Sequence, residues 1–540
     1  MHRKVFKRKK CKKVIYLVVL IVLFSGLLHK VYEFSSRKAE NQLKDWHDYK
    51  FMEYEKYRVG IGEYGAAVIL NDLDEIIDNE RLYKKSGFSD VVSNKISVNR
   101  SIPDPRCQEC KINKYLTNLP KVSIIIIFHN EVLSVLLRTI HSIINRTPHE
   151  LIHEIILVND NSTEPELFNP LQKYVDHNFP AFVKVKVLNE RKGLIVTRLE
   201  GAKIATGDVL VFFDAHIEVN VNWLPPLLEP IKKNRRIATE PVIDDFDAKT
   251  FQYSFIPASR GIFDWHFLYK EIKLRPDDEK DPVKPFPLPV MLGCAFAIDR
   301  IFFMEELGNY DNGLRIWNGE NYELSFKLWL CADGLFKVPC SRVTHTFREI
   351  NPSRKTNEDY VGRNFKRIAE VWLDDYKEIL YNTEPHRYNS IDTGDLTKQK
   401  AIRERLKCKP FSYFLNEVAF DMIQRYPPFK IVPHFASGTL RSLAADRNLC
   451  VEWHYELDVP LVLEYCHPNN QNPSDIQHFT LTFHKQIIST NTDFCLDSYK
   501  CSLLDCHFDK GNQYWKYEMV SLFHLIIKLQ SNAYIDRIHI

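Results

Sequence analysis

The sequence has no charge excess of either sign. Its 540 residues include 73 basic and 70 acidic side chains, which gives a formal net charge of +3 at pH 7. A charge this small, without a long basic stripe carrying interleaved aromatic residues, argues against a nucleic-acid-binding protein. The composition is 45% hydrophobic and 26% charged, which is ordinary for a globular chain long enough for two or three domains.

The N-terminal apolar run of the sequence is short for a membrane span. Eight lysine and arginine residues precede the apolar run 14–28, which is shorter than the ~20 residues typical of a span. This run can be either a cleaved signal peptide or an uncleaved signal anchor. The long basic flank and the lack of a clear small-x-small cleavage site favour a transmembrane signal anchor at 14–29. Residues 1–13 are then a cytoplasmic tail and the rest is lumenal.

Cysteine usage agrees with a lumenal chain. Eleven of the twelve cysteines follow the apolar run, where an oxidising lumen lets disulfides persist. Because eleven is odd, at least one lumenal thiol is expected to be free or paired outside the chain. Cys107-Gln108-Glu109-Cys110 resembles a redox or zinc motif, but the lack of a second Cys-x-x-Cys argues against a metal role.

What the sequence does have is a regular alternation of buried-strand and helical patterns after residue 115. Residues 30–115 are polar and weakly patterned, which is typical of a lumenal stem with short helices. The alternation beyond them predicts a doubly wound α/β domain. Residues 182–188 alternate valine with lysine, as an exposed edge strand would. The predicted strands are Val122–Phe128, 155–158, 182–188 and 209–213, and the predicted helices are 129–144 and 193–205.

The C-terminal part changes character. Residues 240–290 are expected to contain long loops, and residues 364–382 have the pattern of an amphipathic helix. Beyond residue 433 lie short strands and a repeat with a spacing near 40 residues, which predicts a β-trefoil of three hairpin units with the third cut short. The repeated segments are Asn448-Leu449-Cys450-Val451-Glu452, Asp493-Phe494-Cys495-Leu496-Asp497 and, faintly, Asn532-Ala533-Tyr534-Ile535-Asp536.

The buried strand 209–213 runs directly into Asp214-Ala215-His216. Residues i and i+2 of an extended segment point the same way, so the carboxylate and the imidazole converge and can share one divalent cation. Ligands of open α/β sheets bind at the carboxyl ends of the strands. The alternative is a solvated aspartate and a capping histidine at a strand end.

Seven short segments along the chain carry a family resemblance. They are Asn99-Arg100-Ser101-Ile102-Pro103-Asp104, Phe128-His129-Asn130-Glu131, Arg191-Lys192-Gly193-Leu194-Ile195, Asp214-Ala215-His216, Trp317-Asn318-Gly319-Glu320-Asn321, Cys340-Ser341-Arg342-Val343-Thr344-His345 and Ala369-Glu370-Val371-Trp372. In this order they resemble the polypeptide N-acetylgalactosaminyltransferases, and the resemblance covers about residues 60–540. It implies a GT-A catalytic domain, with subdomains at 116–227 and 283–347 and a lid loop and linker helices at 348–432. It also implies a ricin B-type lectin domain at 433–540.

The same resemblance assigns roles to individual residues. It implies a Mn²⁺ site formed by Asp214, His216 and His345, although His345 by itself would more often be a packed or capping histidine. It places Asp160 on the nucleoside of UDP, with a helix cap as the alternative, and Arg198 near the donor, with a surface salt bridge as the alternative. It places Arg348 on the diphosphate. The sugar pocket would be lined by Trp317, Glu320 and Asn321, with a general-base role for Glu320 as a weaker idea, and the lectin would bind sugar through Asp497.

The resemblance also implies four disulfides and leaves three cysteines over. The leftover cysteines would be Cys107, Cys294 and Cys501. The implied pairs are Cys110 with Cys340, Cys331 with Cys408, Cys450 with Cys466 and Cys495 with Cys506.

The implied function is transfer of N-acetylgalactosamine from UDP-GalNAc to Ser or Thr of secretory proteins by a single-pass type II Golgi membrane enzyme. GalNAc-glycopeptides would be partners of the lectin domain. The alternative is a catalytically weak or inactive relative that binds glycopeptides or regulates. Two departures from the family pattern motivate it: Asn351-Pro352-Ser353 in the lid and Met291-Leu292-Gly293-Cys294 beside the acceptor.

Overall fold

A computed structural model describes most of the chain from residue 42 onward, in two compact units divided between Pro428 and Phe429. In the stretches it describes, no helix combines the length and apolar character needed to cross a membrane. The predicted tail and signal anchor, residues 1–29, lie outside the described residues. The described ranges are 42–348, 358–428, 435–442, 449–454, 459–467, 476–482, 485–489, 494–506, 511–521, 524–529 and 538–539.

The first unit is built on one mixed sheet. Its apolar strands are covered on both faces, which is why they read as continuous hydrophobic runs. Four neighbouring strands are parallel, and Ala295–Asp299 joins them antiparallel to Val209–Asp214 and Ala238–Phe246. Two short strands, Ile217–Val219 and Tyr253–Ser254, pair at its side. The strand order is Phe286–Pro287, Leu335–His345, Ala238–Phe246, Ala295–Asp299, Val209–Asp214, Val122–Phe128, Ile152–Asn159 and Val183–Val187.

The predicted strands and helices of this α/β unit are confirmed, with shifted ends. Val183–Val187 is the edge strand that its valine–lysine alternation predicts. The first helix begins at Leu133 rather than near residue 129. The intervening residues form a turn in which the Asn130 backbone N–H donates to Ser162 Oγ at 2.9 Å. The helices beside the sheet are Leu133–Arg146, Asn169–Asn178, Leu194–Ile204, Leu224–Lys233 and Glu320–Cys331.

Residues 240–290 contain loops, as expected, together with most of the sheet strand Ala238–Phe246 and a hairpin of Arg260–Phe263 with Tyr269–Ile272. One prediction in the middle of the chain is wrong. The single helix predicted over 364–382 is broken, since Asp374 has a φ of 51°. The remaining helices of this unit are Pro276–Glu279, Tyr360–Trp372, Lys377–Thr383, Pro385–Ser390, Thr397–Arg405, Phe411–Tyr413 and Phe420–Arg425, with single turns at Glu63–Gly65, His149–Leu151, Pro165–Leu167, Phe302–Glu306, Asp374–Tyr376 and Phe414–Val418.

From residue 42 onward, the segment predicted as a stem packs against the sheet and belongs to the first compact unit. Glu55 accepts a hydrogen bond from Arg146 at 2.7 Å, and Arg100 donates to Glu218 at 2.7 Å, with all four side chains buried. The polar composition that suggested a solvated stem therefore includes buried ion pairs. The elements of this segment are the strands Leu43–Lys44 and Tyr115–Leu116 and the helices Tyr49–Lys56, Leu73–Ser86, Asp90–Lys95 and Gln108–Ile112.

The second unit is all β in its described residues, apart from one turn of helix at Gly511–Gln513. Phe479 and Trp515, each of which comes two residues after a glutamine (Gln477 and Gln513), are both in its hydrophobic core. The faint third repeat, residues 532–536, lies outside the described residues. The strands are Ala436–Thr439, Arg441–Ser442, Leu449–Glu452, Val462–Tyr465, His478–Leu481, Ile487–Ser489, Phe494–Asp497, Ser502–Asp505, Trp515–Ser521, His524–Leu529 and Ile538–His539.

The four disulfides implied by the resemblance are present. Cys110 pairs with Cys340 and Cys331 with Cys408 in the first unit. Cys450–Cys466 and Cys495–Cys506 lie in the second unit. Cys107, Cys294 and Cys501 are free, as expected.

Candidate functional site

Strand pairing explains how two distant sequence segments supply one cluster of ligands. Asp214 ends strand Val209–Asp214, and His216 precedes the short strand Ile217–Val219. That short strand runs antiparallel to Leu335–His345 with His345 opposite Ile217, which puts His345 beside His216. One ligand atom from each of Asp214, His216 and His345 lies within 4.8 Å of the other two. The structure therefore brings together the three residues predicted to hold a metal.

The protonation states of this cluster fit a divalent cation. Burial opposes ionisation of Asp214, but the hydrogen bond with His345 and the charge of Arg198 hold its pKa well below the usual range. Burial and the neighbouring Arg348 charge lower the pKa of His216, so its imidazole is neutral. An ionised carboxylate and a neutral imidazole are donors that a borderline dication such as Mn²⁺ accepts, and the His345 ring adds a third nitrogen donor to the set.

Glu131 is a site residue to which the sequence analysis gave no role. It is buried, and its carboxylate lies 2.9 Å from His216 Nδ1 and accepts a hydrogen bond from Arg348. Burial opposes its ionisation, but Arg348 and His216 lower the pKa of Glu131 to about 2. With His216 Nδ1 held by Glu131, His216 Nε2 is left to face a metal, an arrangement common among histidine ligands. The segment Phe128-His129-Asn130-Glu131, one of the seven that carry the family resemblance, is the sequence feature that could have pointed to Glu131.

Arg348 is positioned at the mouth of the same cluster. Its guanidinium lies 4.3 Å from the centre of the Phe88 ring and 3.2 Å from His216 Nδ1. The Arg348 guanidinium is thus held by the Phe88 ring and by the Glu131 carboxylate, close to the predicted metal ligands. The lid residues 351–353 that follow lie outside the described part of the chain.

Arg198 is a buried residue of the site and not a surface salt bridge, because it is 1% exposed. Its Nη2 donates to Asp214 Oδ1 at 2.9 Å and to the Gly293 carbonyl at 2.7 Å. Its Nη1 lies 3.9 Å from Glu320 Oε1. Arg198 therefore links a predicted metal ligand to a residue of the predicted sugar pocket.

Asp160 organises the loop in front of helix Leu194–Ile204. Its two carboxylate oxygens accept hydrogen bonds from the backbone N–H groups of Lys192, at 2.7 Å, and Gly193, at 2.8 Å. The Asp160 carbonyl also lies 2.8 Å from His129 Nδ1. Asp160 is not the N-cap of the helical segments that follow it, because those begin after Glu164 and Phe168, and its side chain lines a cavity of the site.

A cavity of about 360 Å³ lies at the carboxyl ends of the central strands. Asp160, Arg198, Trp317, Glu320 and Arg348 line it together with the three predicted metal ligands. Asn321 is not among the lining residues; its side-chain amide donates to the Met291 carbonyl at 3.3 Å and supports the cavity wall.

The wall that departs from the family pattern also faces this cavity. Leu292 and Cys294 line it, and the Cys294 carbonyl accepts the Asp214 backbone N–H at 3.0 Å. Burial raises the pKa of the Cys294 thiol well above its ordinary value, so the thiol stays protonated. Cys294 therefore contributes shape and not charge.

In the second unit, the predicted sugar-binding residue Asp497 is buried and accepts backbone hydrogen bonds from Tyr499, at 2.9 Å, and Lys500, at 3.1 Å. It also accepts from the Asn512 side chain. At the matching position of the first repeat, Glu452 accepts from Gln477 Nε2 at 2.6 Å. The two repeats thus use a carboxylate in the same place for different contacts.

Comparison with known proteins gives consistent matches. Residues 123–305 match the model of glycosyl transferase family 2, and residues 436–532 match the ricin-type beta-trefoil lectin domain. N-acetylgalactosaminyltransferase 6 of Drosophila melanogaster is 45% identical over 490 residues, covering 88% of this chain and 72% of the relative. Human polypeptide N-acetylgalactosaminyltransferase 10 is 43% identical over 498 residues, covering 89% and 81%.

A solved structure is similar over most of the chain. It is described as the crystal structure of GalNAc-T7 with UDP, GalNAc and Mn²⁺. The TM-score is 0.69 at 34% identity, with 86% of each chain covered.

Proposed function

Since the chain belongs to the polypeptide N-acetylgalactosaminyltransferase family, we propose that it transfers N-acetylgalactosamine from UDP-GalNAc to Ser and Thr hydroxyls of secretory proteins. The reaction starts mucin-type O-glycosylation and retains the anomeric configuration. The observation that carries the proposal is the Asp214, His216 and His345 set, which meets Arg198 and Arg348 in one cavity. Metal ligands and fixed cations suit a nucleoside diphosphate leaving group.

Asp214, His216 and His345 would hold Mn²⁺. Bound there, the ion would supply positive charge that stabilises the departing diphosphate. Glu131 orients His216 toward the ion, and Arg198 keeps Asp214 ionised by the contact at 2.9 Å.

The remaining cavity residues bind and orient the donor. Asp160, which lines the cavity, would contact the nucleoside of UDP, and Arg348 would contact the diphosphate. Trp317 offers an aromatic face to the sugar, and Glu320 would accept a hydrogen bond from a sugar hydroxyl. Asn321 supports this pocket from behind.

The chemical step needs no nucleophile from the protein. The bond between the sugar C1 and the phosphate oxygen breaks, and the acceptor oxygen bonds to C1 on the same face. The proton of the acceptor hydroxyl passes to the leaving phosphate oxygen, so no protein carboxylate has to take it.

For location, we infer a single-pass type II protein of the Golgi membrane with its catalytic part in the lumen. The basic flank of the apolar run 14–28 and the four disulfides support this inference. Partners would be Ser- and Thr-containing proteins and, through Asp497 in the lectin unit, GalNAc-glycopeptides.

The test is a transfer assay with the full-length chain in detergent, UDP-GalNAc, Mn²⁺ and a mucin-like peptide. His345→Ala should lower kcat/KM by about two orders of magnitude or more, because it removes a metal ligand. The exposed His153, which contacts Thr206, provides a control in His153→Ala. A folded chain that binds UDP but forms no product would overturn the proposal.

The same assay decides the alternative of an inactive glycopeptide-binding relative. That alternative has no support from the relatives, whose names describe transferases. For the lectin, Asp497→Asn should reduce transfer to a GalNAc-glycopeptide while leaving transfer to the unmodified peptide unchanged. If Asp497→Asn and the unmodified chain transfer equally well to the GalNAc-glycopeptide, Asp497 has no role in sugar binding.

A further inference from the structure

Three sulfur atoms lie together where the segment before the sheet meets strand Leu335–His345. Cys110 and Cys340 form a disulfide, and both residues are buried, at 1% and 0% exposure. The free Cys107 is half-buried, and its Sγ lies 3.3 Å from Cys110 Sγ. A thiol is therefore in direct contact with one sulfur of a shielded disulfide.

The spacing of these cysteines favours a reaction between them. Cys107 and Cys110 are three residues apart at the start of helix Gln108–Ile112, and Cys-x-x-Cys pairs of this kind close disulfides in redox proteins. Exchange requires a thiolate that can reach a disulfide sulfur. The Sγ–Sγ distance of 3.3 Å puts Cys107 within reach of a sulfur of the Cys110–Cys340 disulfide.

We propose that Cys107, Cys110 and Cys340 form a thiol–disulfide exchange site. The Cys107 thiol loses its proton, and the thiolate attacks Cys110 Sγ. A Cys107–Cys110 bond forms, the Cys110–Cys340 bond breaks, and the electron pair leaves on Cys340 Sγ, which takes up a proton. One disulfide replaces another, so the exchange needs no external oxidant or reductant.

The position of Cys340 gives the exchange a structural consequence. In the pairing with Ala238–Phe246, Val338 lies opposite Pro241 and Arg342 lies opposite Val242, so residues 339–341 bulge out of the ladder. The Cys110–Cys340 bond ties this bulge to the preceding segment. After exchange, the bulge is held by its non-covalent contacts alone, five residues before His345.

The other free cysteines lack this setting in the described parts of the chain. Cys294 is buried in the cavity wall, and the exposed Cys501 lies in the second unit with its Sγ 3.8 Å from the Ser498 carbonyl. Cys501 is therefore a matched control for general thiol reactivity.

Tryptic mapping tests the exchange directly, because Arg106, Lys111, Lys337 and Arg342 flank the cysteines. The full-length chain is equilibrated in glutathione buffers of graded redox potential, then unfolded in acid and alkylated with N-ethylmaleimide. Before exchange, peptides 107–111 and 338–342 are linked and Cys107 is alkylated. After exchange, peptide 107–111 is bridged internally and unalkylated, and peptide 338–342 is released with an alkylated Cys340.

We expect the internally bridged 107–111 peptide in the unmodified chain and in Cys501→Ser, formed faster as pH rises. In Cys107→Ser, Cys340 should be at least tenfold less alkylated at the same redox potential and should be released only together with a free Cys110. Cys107→Ala should give the same result. Because it removes the same thiol without adding a hydroxyl group, it tests the exchange even if the serine variant folds poorly. If every sample with free Cys340 carries two alkylated cysteines in peptide 107–111, the proposal is wrong. None of these outcomes depends on transferase activity.

Discussion

At the scale of single residues, the site is a set of charges that neutralise one another. Arg198 contacts Asp214, and Arg348 contacts Glu131, which in turn holds His216. Each cation thus stabilises a carboxylate that serves the predicted metal cluster directly or through a histidine. Burial makes such contacts strong and makes the loss of one partner costly.

Glu131→Gln should weaken Mn²⁺ binding by about 10–100-fold, because second contacts of metal-binding histidines contribute on this scale. Calorimetric titration of Mn²⁺ in the presence of UDP measures it. Glu154→Gln is the matched control, since Glu154 is also buried with a pKa of about 2 but bonds Ser123 and Thr206 instead. Equal loss of metal affinity in both variants would show that Glu131 has no special role.

Asp90 predicts a pH dependence of stability. Burial, with smaller contributions from Glu131 and Glu166, raises the pKa of Asp90 to about 6, against the opposing effects of Ser86 and Lys85. A raised carboxyl pKa means that the folded state binds the proton more tightly, so stability from this group falls as pH rises from about 4 to 6.

Asp90→Asn should therefore stabilise the chain more at about pH 7.5 than at about pH 4.5. Allowing for partial exposure, the difference should be about 1 kcal/mol. Denaturant unfolding at both pH values measures it. A gain that is the same at both pH values would contradict the raised pKa.

At the scale of elements, a close backbone contact joins two loops of the cavity. Leu194 N donates to the Ile316 carbonyl at 2.7 Å, at the start of helix Leu194–Ile204. Ile316, Asn318 and Gly319 all have positive φ, at 55°, 73° and 99°. A β-branched residue in this region is strained, and such strain is found where surrounding contacts fix a functional loop. Trp317 is presented to the cavity from this stretch.

Gly193→Ala should separate these loops. Gly193 has a φ of 82°, and an added Cβ would lie 2.5 Å from Ile316 Cα. We expect a loss of about 1–3 kcal/mol in stability and weaker UDP binding, measured by denaturant unfolding and calorimetry. Gly60→Ala is the control, because its Cβ would meet only Glu63 Cγ at 3.3 Å. Unchanged UDP binding in Gly193→Ala would show that the loop contact does not shape the site.

At the scale of the whole molecule, the first compact unit extends back to residue 42 of the described chain. Glu55 and Arg146 are 91 positions apart and form a buried ion pair. Trp46 belongs to the same hydrophobic core as the central strands. These contacts make the segment before the sheet part of the catalytic fold.

Glu55→Gln should destabilise the first unit by about 3 kcal/mol, because it leaves the Arg146 charge buried without its counter-ion. Urea unfolding followed by tryptophan fluorescence measures the loss. Glu53→Gln, two residues away on the same helix and exposed, should have no measurable effect. Similar stabilities for the two variants would mean that the segment is not an integral part of the unit.

Elements with a local signal can be found from the amino-acid sequence alone. Uniform apolar runs gave the central strands, alternation gave the edge strand Val183–Val187, and the i, i+2 spacing placed Asp214 beside His216. The repeat gave the β architecture of the second unit, and resemblance gave the disulfide pairs. The strands and the repeat depend on neighbours in the chain, so periodicity and spacing are sufficient to find them. The disulfide pairs join distant positions and followed from the resemblance alone.

Contacts between groups that are distant in the chain are set by tertiary packing. Burial of Arg198, the role of Glu131 between His216 and Arg348, and the contact of Cys107 with Cys110–Cys340 have no signal in hydrophobic pattern. The packing of residues 42–115 was also missed, because an ion pair that is buried and one that is solvated have the same composition. Register and packing bring such groups together, and both are settled by contacts between residues far apart in the chain.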